Sequence, residues 1–352
     1  MKWSIIQEAD ASSSPTERRY HEVIEEVALA DTMGFHAYGC SEQHFFPPKF
    51  NVSAPEVLYG AIAMRTERII IRPMIVVPMT WHHPILIAER LATVDILSKG
   101  RVEMASGRGI NLHTLNVFGV DPAATRDIYK DAMNALDAIF ENPDEAEYHG
   151  KYWDFPTTTV TPQLVGKRFP LLSMAASSVD SHAVAGERGY GVIAFDNFFG
   201  FDFLEECLDT YRKSIAETTV AADRVNNHVA LCVGTAFCGA TTEKAREQSG
   251  GEVLDYYQNA AIETFKRMAG QASYGHLKID ELIEKADDLD WLTEATSSVM
   301  LGDPDYFVRR AEKLAAMGVE EIVLRIDGIP HEYIMESIEL IGREIIPATE
   351  SL

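Results

Sequence analysis

Ile69-Ile70-Ile71-Arg72-Pro73-Met74-Ile75-Val76-Val77 is the most telling stretch of the chain. Apolar residues stand at odd and even positions alike, so both faces of the segment call for burial. That suits a parallel strand covered by helices better than a half-exposed antiparallel one. Working outward, seven further β-rich runs recur: Trp3–Gln7, His36–Cys40, Val102–Ser106, Leu171–Ala175, Gly191–Phe195, Val229–Gly234 and Ile322–Ile326. Helical patterns fill the intervals. Ile128, Ala132, Ala135, Leu136 and Ile139 share one face of a helix. Asp303 and Pro304 open another, which Gly318 stops. Ser53-Ala54-Pro55-Glu56 has capping-box spacing. Strands alternating with helices in this way predict an α/β fold, a (β/α)8 TIM barrel. The rival is a doubly wound open sheet, which normally shows a Gly-rich turn after its first strand, and Gln7-Glu8-Ala9-Asp10 contains no glycine.

Two stretches are too long for simple connections and read as insertions after strands four and seven. Residues 142–170 carry Pro143, Pro156, Pro162 and Pro170. Residues 240–300 include the Gly270–Gly275 break, and they read either as a lid over the strand-end face or as an inert excursion. The acidic run Asp280–Asp290 reads as a solvated helix face. No repeat, low-complexity tract or linker divides the chain, so residues 1–352 are expected to form a single domain.

Composition narrows the function. With 54 acidic against 31 basic side chains the net charge is −23, which repels phosphate backbones and anionic lipid; neither nucleic acid nor membrane is an expected partner. No apolar run approaches the length of a bilayer span, and Met1-Lys2-Trp3-Ser4 does not open a signal peptide, so a cytoplasmic location is expected. Cys40, Cys207, Cys232 and Cys238 form no Cys-x-x-Cys pair and no zinc-type cluster; buried thiols and no metal site are expected.

A barrel carries its chemistry where its strands run out. Those ends are polar here: Gln7; Glu42-Gln43-His44; His82-His83; Gly107-Arg108-Gly109; Ala176-Ser177-Ser178; Asp196-Asn197; and Arg325-Ile326-Asp327. Two of them read together as an anion site. The Arg108 guanidinium can grip a phosphate with two parallel bonds, and Gly107 and Gly109 let the backbone come close. Ser177 and Ser178 open a helix whose free N–H groups suit the same anion. The ordinary alternatives are a surface salt bridge for Arg108 and plain helix capping for the serines. Together they suggest a phosphorylated cofactor. Trp81, Phe198, Phe199, Phe201 and Tyr274 are candidates for an apolar pocket or for core. The chain shows no dinucleotide fingerprint, Walker loop, His-Glu-x-x-His or Gly-x-Ser-x-Gly elbow.

Ser41-Glu42-Gln43-His44-Phe45-Phe46 resembles the Glu-His-His-Phe box that follows strand two in the bacterial luciferase-like flavin monooxygenases. The stretch from Val76 to Gly109 resembles that family more closely. It holds Pro84, Ala88-Glu89, Asp95, Leu97-Ser98-Lys99-Gly100-Arg101-Val102 and Gly107-Arg108-Gly109, with Asn116-Val117-Phe118-Gly119 beyond. Ala176-Ser177-Ser178 and Gly302-Asp303-Pro304 are further landmarks, and the likeness weakens between about residues 240 and 300.

The resemblance implies a barrel that binds reduced FMN at its strand ends, often as a homodimer. The reduced flavin would react with O2, through a 4a-peroxyflavin, to oxidise a small hydrophobic organic substrate. No nicotinamide site is visible, so a separate NAD(P)H:flavin reductase is implied as the source of reduced flavin. Arg108, Gly107, Gly109, Ala176, Ser177 and Ser178 would hold the cofactor, its ring lying near Pro73–Val76, on a strand that in the family often carries a bulge or cis peptide. His44 matches the second histidine of the box and is the favoured acid–base group over His82 and His83; an imidazole titrates near pH ~6.5. Gln43 replaces the first histidine, which carries catalysis in the luciferase α chain, and glutamine cannot act as a base. The alternatives are a deazaflavin-dependent dehydrogenase on the same barrel and a non-catalytic flavin-binding protein.

Overall fold

Eight parallel strands close on themselves, and each overlaps one of the eight runs read above, three of them (starting at Lys2, ending at Ala176 and starting at Glu321) shifted by one residue. The computed structural model describes residues 1–352 except 110, 168, 197, 264–265 and 267–278. The strands are β1 (Lys2–Ile6), β2 (Ala37–Gly39), β3 (Ile70–Ile71), β4 (Met104–Ser106), a hairpin β5 (Ala146–His149) and β6 (Asp154–Thr158), β7 (Leu172–Ala176), β8 (Gly191–Ala194), β9 (Val229–Val233), β10 (Thr235–Cys238), β11 (Val299–Gly302) and β12 (Glu321–Arg325). The barrel order is β3-β2-β1-β12-β9-β8-β7-β4. Parallel bridges Ile71–Val102 and Val76–Ser106 join the two ends of that series. The Val76 N–H donates to the Ala105 carbonyl at 2.9 Å, and the Gly107 N–H returns a bond to Val76 at 3.1 Å. The long apolar run is regular strand only at its start, since Pro73 has no N–H to donate to a ladder; the Met74–Ile75 peptide beyond it is cis.

Period-2 alternation stacks the barrel interior in layers. Along β1 and its continuation, Ser4, Ile6 and Glu8 point inward in turn; along β12, Glu321, Val323 and Arg325 do so. The lowest layer is polar: Arg72 clamps Glu321 with two bonds of 2.8 and 3.1 Å, and Ser4 and His228 also bond that carboxylate. Above it lies an apolar plug of Ile6, Met74, Ala105, Ile193, Ala230, Cys232 and Val323. The third layer, holding Glu8 and Arg325, opens into a cavity at the strand C-termini.

Helices α1 (Thr16–Met33), α2 (Pro55–Ala63), α3 (Pro84–Leu97), α4 (Leu112–Val117), α5 (Thr125–Glu141), α6 (Val179–Glu187), α7 (Phe201–Ala216) and α8 (Thr242–Asp255) are among those that surround the strands. The α5 face expected to be apolar is buried, from Ile128 to Phe140. Asp303 caps the helix Pro304–Ala316 by accepting from the Tyr306 N–H at 2.9 Å, and Gly318 follows at φ +79°. The expected Ser53 capping box is absent. Ala54 occupies the cap position with no side-chain bond, and Pro55 begins α2, where its missing N–H costs nothing. The excursion 142–170 contains the antiparallel β5–β6 hairpin. Beyond Gly234 the chain pairs β10 with β11 in a second, two-stranded parallel sheet. The Gly270–Gly275 break lies outside the described residues. All four cysteines are free and buried. Among the described residues no helix is long and apolar enough to cross a membrane.

Candidate active site

The strand ends enclose a cavity of about 660 Å³, within the range of about 300–1,000 Å³ usual for small-molecule sites. Its floor is the top of the barrel plug, with Ile6, Met74, Ile75 and Cys232 exposed to it. Gln43, His44, Gly107, Arg108, Gly109, Ala176, Ser177 and Ser178 all lie on its wall, so the strand-end motifs converge on one space. Val76 does not. It lines a separate hollow of about 20 Å³ beside Glu42 and His82, because its neighbours Ile75 and Val77 are the residues turned to the cavity.

One end of the cavity is built for an anion. Arg108 leaves β4 and Arg126 begins α5; both line the space, and neither guanidinium has a carboxylate partner among the described residues. In a chain with 54 acidic side chains, two arginines on one cavity without a carboxylate partner among the described residues are a strong electrostatic signal. The serines behave differently from expectation. The Ser177 and Ser178 N–H groups donate to Ser181 Oγ at 3.1 and 3.0 Å, and Ser178 Oγ accepts from the Ser181 N–H at 3.3 Å in a capping box. Those two N–H groups are therefore already engaged. The first-turn N–H groups of Val179 and Asp180, which line the same cavity, have no intrahelical acceptor. The glycines also differ from expectation in their reason: a Cβ on Gly107 would lie 2.4 Å from Ile75 Cδ1, and one on Gly109, at φ +66°, 2.9 Å from Val77 Cγ1. They make room for the irregular end of the third barrel strand, which in turn shapes the cavity wall.

The other end is a carboxylate with three donors. Glu42 Oε1 is 2.9 Å from His44 Nε2 and accepts from Trp81 Nε1 at 3.1 Å; its two oxygens lie 2.8 and 2.7 Å from His82 Nε2. Burial pushes Glu42 up, but the bonds from His82, His44 and Trp81 outweigh it and hold the carboxyl below its usual range. An ionised Glu42 fixes the His44 ring with Nε2 as donor and leaves Nδ1 as the acceptor. His82 is a partner of Glu42, and His83 caps α3, its Nδ1 accepting from the Ile85 N–H at 3.2 Å. Trp81 stacks on Phe118 at 4.9 Å, and His44 meets the same ring edge-on at 5.1 Å. Of these rings Trp81 and His44 line the cavity, and Phe118 packs behind them. Of the other aromatics, Phe198 lines the cavity while Phe199 and Phe201 do not; Tyr274 and Asn197 lie outside the described residues.

Sequence reading missed Glu42 as a hub, Arg126, and Glu8. Arg126 carries no local signature. Glu8 does, since the Ser4-Ile6-Glu8 alternation places it in the barrel one step beyond Gln7. Gln7 itself is buried, bonded to Glu26 and to the Ile326 carbonyl.

Comparison with known proteins agrees with this geometry. The family described as luciferase-like monooxygenase matches residues 1–321. The chain belongs to that family. It is 23% identical over 355 residues to the oxygenase component of the flavin-dependent trigonelline monooxygenase of Acinetobacter baylyi, covering 99% of this chain and 95% of that one. The fold superposes with a TM-score of 0.78 on the oxygenating constituent of 3,6-diketocamphane monooxygenase of Pseudomonas putida, a type II Baeyer–Villiger enzyme in complex with FMN, at 20% identity over 99% and 98% of the two chains. It also superposes, at 0.72, on the coenzyme F420-dependent tetrahydromethanopterin reductase of Methanopyrus kandleri, with 21% identity and 98% coverage of both chains. The protein is thus an enzyme, an oxidoreductase of the luciferase-like class.

Proposed function

We propose that this chain is an FMN-dependent monooxygenase that uses reduced FMN and O2 to oxidise a small hydrophobic organic molecule, its reduced flavin coming from a separate NAD(P)H:flavin reductase. The observation that carries this reading is that Arg108 and Arg126, neither with a carboxylate partner among the described residues, line one cavity with an apolar floor. The residues present fit FMN. Arginine forks suit its phosphate, the Ile6–Met74–Cys232 floor suits an aromatic ring system, and Glu8 and Ser41 supply polar atoms beside that floor. Bound in its reduced form, FMN supplies two electrons to dioxygen, of which one oxygen atom enters the substrate and the other leaves as water.

The chain's own part is binding, orientation and proton handling. Arg108 and Arg126 hold the phosphate, with the α6 start beside them. Trp81, stacked on Phe118, lines the cavity and presents an apolar face to the reacting centre. His44, oriented by Glu42, takes or gives a proton at Nδ1, and Gln43 offers a hydrogen bond without basicity. His44→Ala is expected to leave FMN affinity within about twofold and to lower turnover by ~10²–10⁴. Fluorescence titration and oxygen uptake check this, and unchanged turnover with the true substrate would remove His44 from the chemistry.

The deazaflavin reading draws on the F420-dependent structure that shares the fold. Parallel titrations with reduced FMN and reduced F420 separate the two, the monooxygenase reading requiring the tighter complex with FMN. The homodimer is supported by the exposed apolar residues Val57 and Met64 at α2 and Leu86, Ile96 and Leu97 on the adjacent α3. Joint replacement Val57→Glu and Met64→Glu is expected to convert a dimer to a monomer in sedimentation velocity; a wild-type monomer would dismiss the pairing.

A further inference from the structure

We propose that Glu8 is the acid–base group of the cavity floor, exchanging a proton with the ligand through the Ser41 hydroxyl. Resting on the flavin reading for its ligand, the proposal starts from two hydrogen bonds that share one hydrogen. Ser41 Oγ lies 2.8 Å from Glu8 Oε1 and 2.8 Å from the Met74 carbonyl oxygen. A hydroxyl has a single hydrogen, and neither an ionised carboxylate nor a carbonyl can donate. With Glu8 ionised, the one Ser41 hydrogen is divided between two acceptors, the Glu8 carboxylate and the Met74 carbonyl. With Glu8 protonated, Glu8 donates to Ser41 and Ser41 donates undivided to Met74, so the protonated form satisfies both contacts in full.

The surroundings agree. Glu8 is 5% exposed, lines the cavity together with Ser41, and its second oxygen, Oε2, has no hydrogen-bond partner among the described residues. Arg325 faces it from β12, but that guanidinium is committed to Asp10 at 3.0 Å and lies over the Tyr256 ring at 4.2 Å. Asp327 and Asp10 add negative charge, while Tyr256, Cys40 and Cys232 are the neutral titratable groups around it. Lys49 is 3.8 Å from Asp10 and is shared with Glu252 and Asp255. Burial, opposed by Arg325 and the Ser41 bond, pushes Glu8 up to about 7. The backbone fixes its place, since the Glu8 N–H donates to Asp327 Oδ2 at 2.6 Å.

The proposed function has a use for such a group beside His44, at the cavity floor. Oxygenation of one substrate molecule by a singly anionic reduced flavin consumes one proton besides the flavin's own hydrogen, the second oxygen leaving as water. In the transfer the Ser41 hydroxyl turns from the Met74 carbonyl to the ligand; the Glu8 Oε1–H bond breaks as its hydrogen joins Ser41 Oγ, and the former Ser41 hydrogen passes to an acceptor atom of the ligand. Glu8 is left as carboxylate and is reprotonated by hydronium or a buffer acid from the solvent, which supplies the one proton consumed. No other residue is consumed.

The test is infrared difference spectroscopy of the ligand-free protein, followed from about pH 5.5 to about pH 8.5. Wild type is expected to lose a protonated-carboxyl carbonyl band with a midpoint near 7, and that band is absent from Glu8→Gln. Glu252, also raised to about 7 by burial, contributes equally to both and cancels in the difference. Glu8→Asp keeps an acid and is expected to keep a titrating band. Identical spectra for wild type and Glu8→Gln across this range would overturn the assignment. In a second arm, calorimetric titration with reduced riboflavin, which has no phosphate to titrate, is run in buffers of different ionisation enthalpy. It is expected to show different proton exchange for wild type and Glu8→Gln, and equal exchange would overturn the link to the ligand. Failure of either protein to bind flavin would strike the flavin reading alone, leaving the infrared result to decide Glu8.

Discussion

Replacing Arg108 with alanine is expected to weaken FMN binding by about 10- to 100-fold while leaving riboflavin affinity unchanged. A hydrogen bond to a charged group contributes ~1.5–3 kcal/mol, which converts to that range of dissociation constants. Arg108 sits where β4 ends, half-buried on the cavity wall, with no carboxylate among the described residues to compete for it. Its loss removes a grip on phosphate and little else, because no ion pair among the described residues is broken. Riboflavin separates this from general damage to the cavity, since it keeps the ring and lacks the phosphate. An equal loss for both ligands would mean that Arg108 shapes the cavity; no loss for either would place the phosphate elsewhere. Arg126→Ala is the companion substitution, at the same end of the cavity.

The largest effect on stability is expected at the opposite end of the barrel. Arg72→Leu leaves Glu321, 0% exposed, without its bidentate partner. Breaking a buried pair from one side costs ~3–5 kcal/mol, because the remaining charge is stranded. His228 and Ser4 still bond Glu321, and Glu103 loses its own 2.7 Å contact with Arg72. In the wild type Glu321 is held well below the carboxylate range, burial being overcome by Arg72 and His228. Its contribution is therefore complete above the unfolded-state value near ~4.3 and fades as the pH falls through the folded value. The Arg72→Leu deficit follows the same sign: largest near neutral pH and smaller in acid, where a stranded Glu321 takes up a proton. Urea unfolding at about pH 7 and about pH 4.5 measures both quantities. Adding Glu321→Gln to Arg72→Leu should recover part of the loss, and a deficit that does not change with pH would show that the cost is packing alone.

Hydrophobic patterning made the barrel legible, because burial on both faces leaves long apolar runs that mixed or half-exposed strands do not produce. Its closure was not legible, since the Ile71–Val102 and Val76–Ser106 bridges are backbone pairings to an irregular segment around Pro73. At the site, motif position placed Arg108, Gln43 and His44 around one cavity. It did not resolve which of Ile75, Val76 and Val77 faces the cavity, because that depends on how the chain turns after β3. It also assigned the α6 start too simply: Ser181, three residues on, occupies the Ser177 and Ser178 N–H groups. Glu8 and Arg325 were open to a sequence argument, as the third steps in the alternations Ser4-Ile6-Glu8 and Glu321-Val323-Arg325. Arg126 was not, because nothing in its neighbourhood distinguishes it from a solvent-facing arginine on the first turn of a helix.

The most direct test of the account mixes the protein, loaded anaerobically with reduced FMN, with oxygenated buffer in a stopped-flow spectrophotometer. The account predicts that the protein changes the course of flavin reoxidation, with a phase whose absorbance belongs to neither reduced nor oxidised FMN and which free FMN does not show. Reoxidation identical to that of free reduced FMN, together with tight binding of reduced F420 to the same cavity, would contradict it and assign the barrel to hydride transfer.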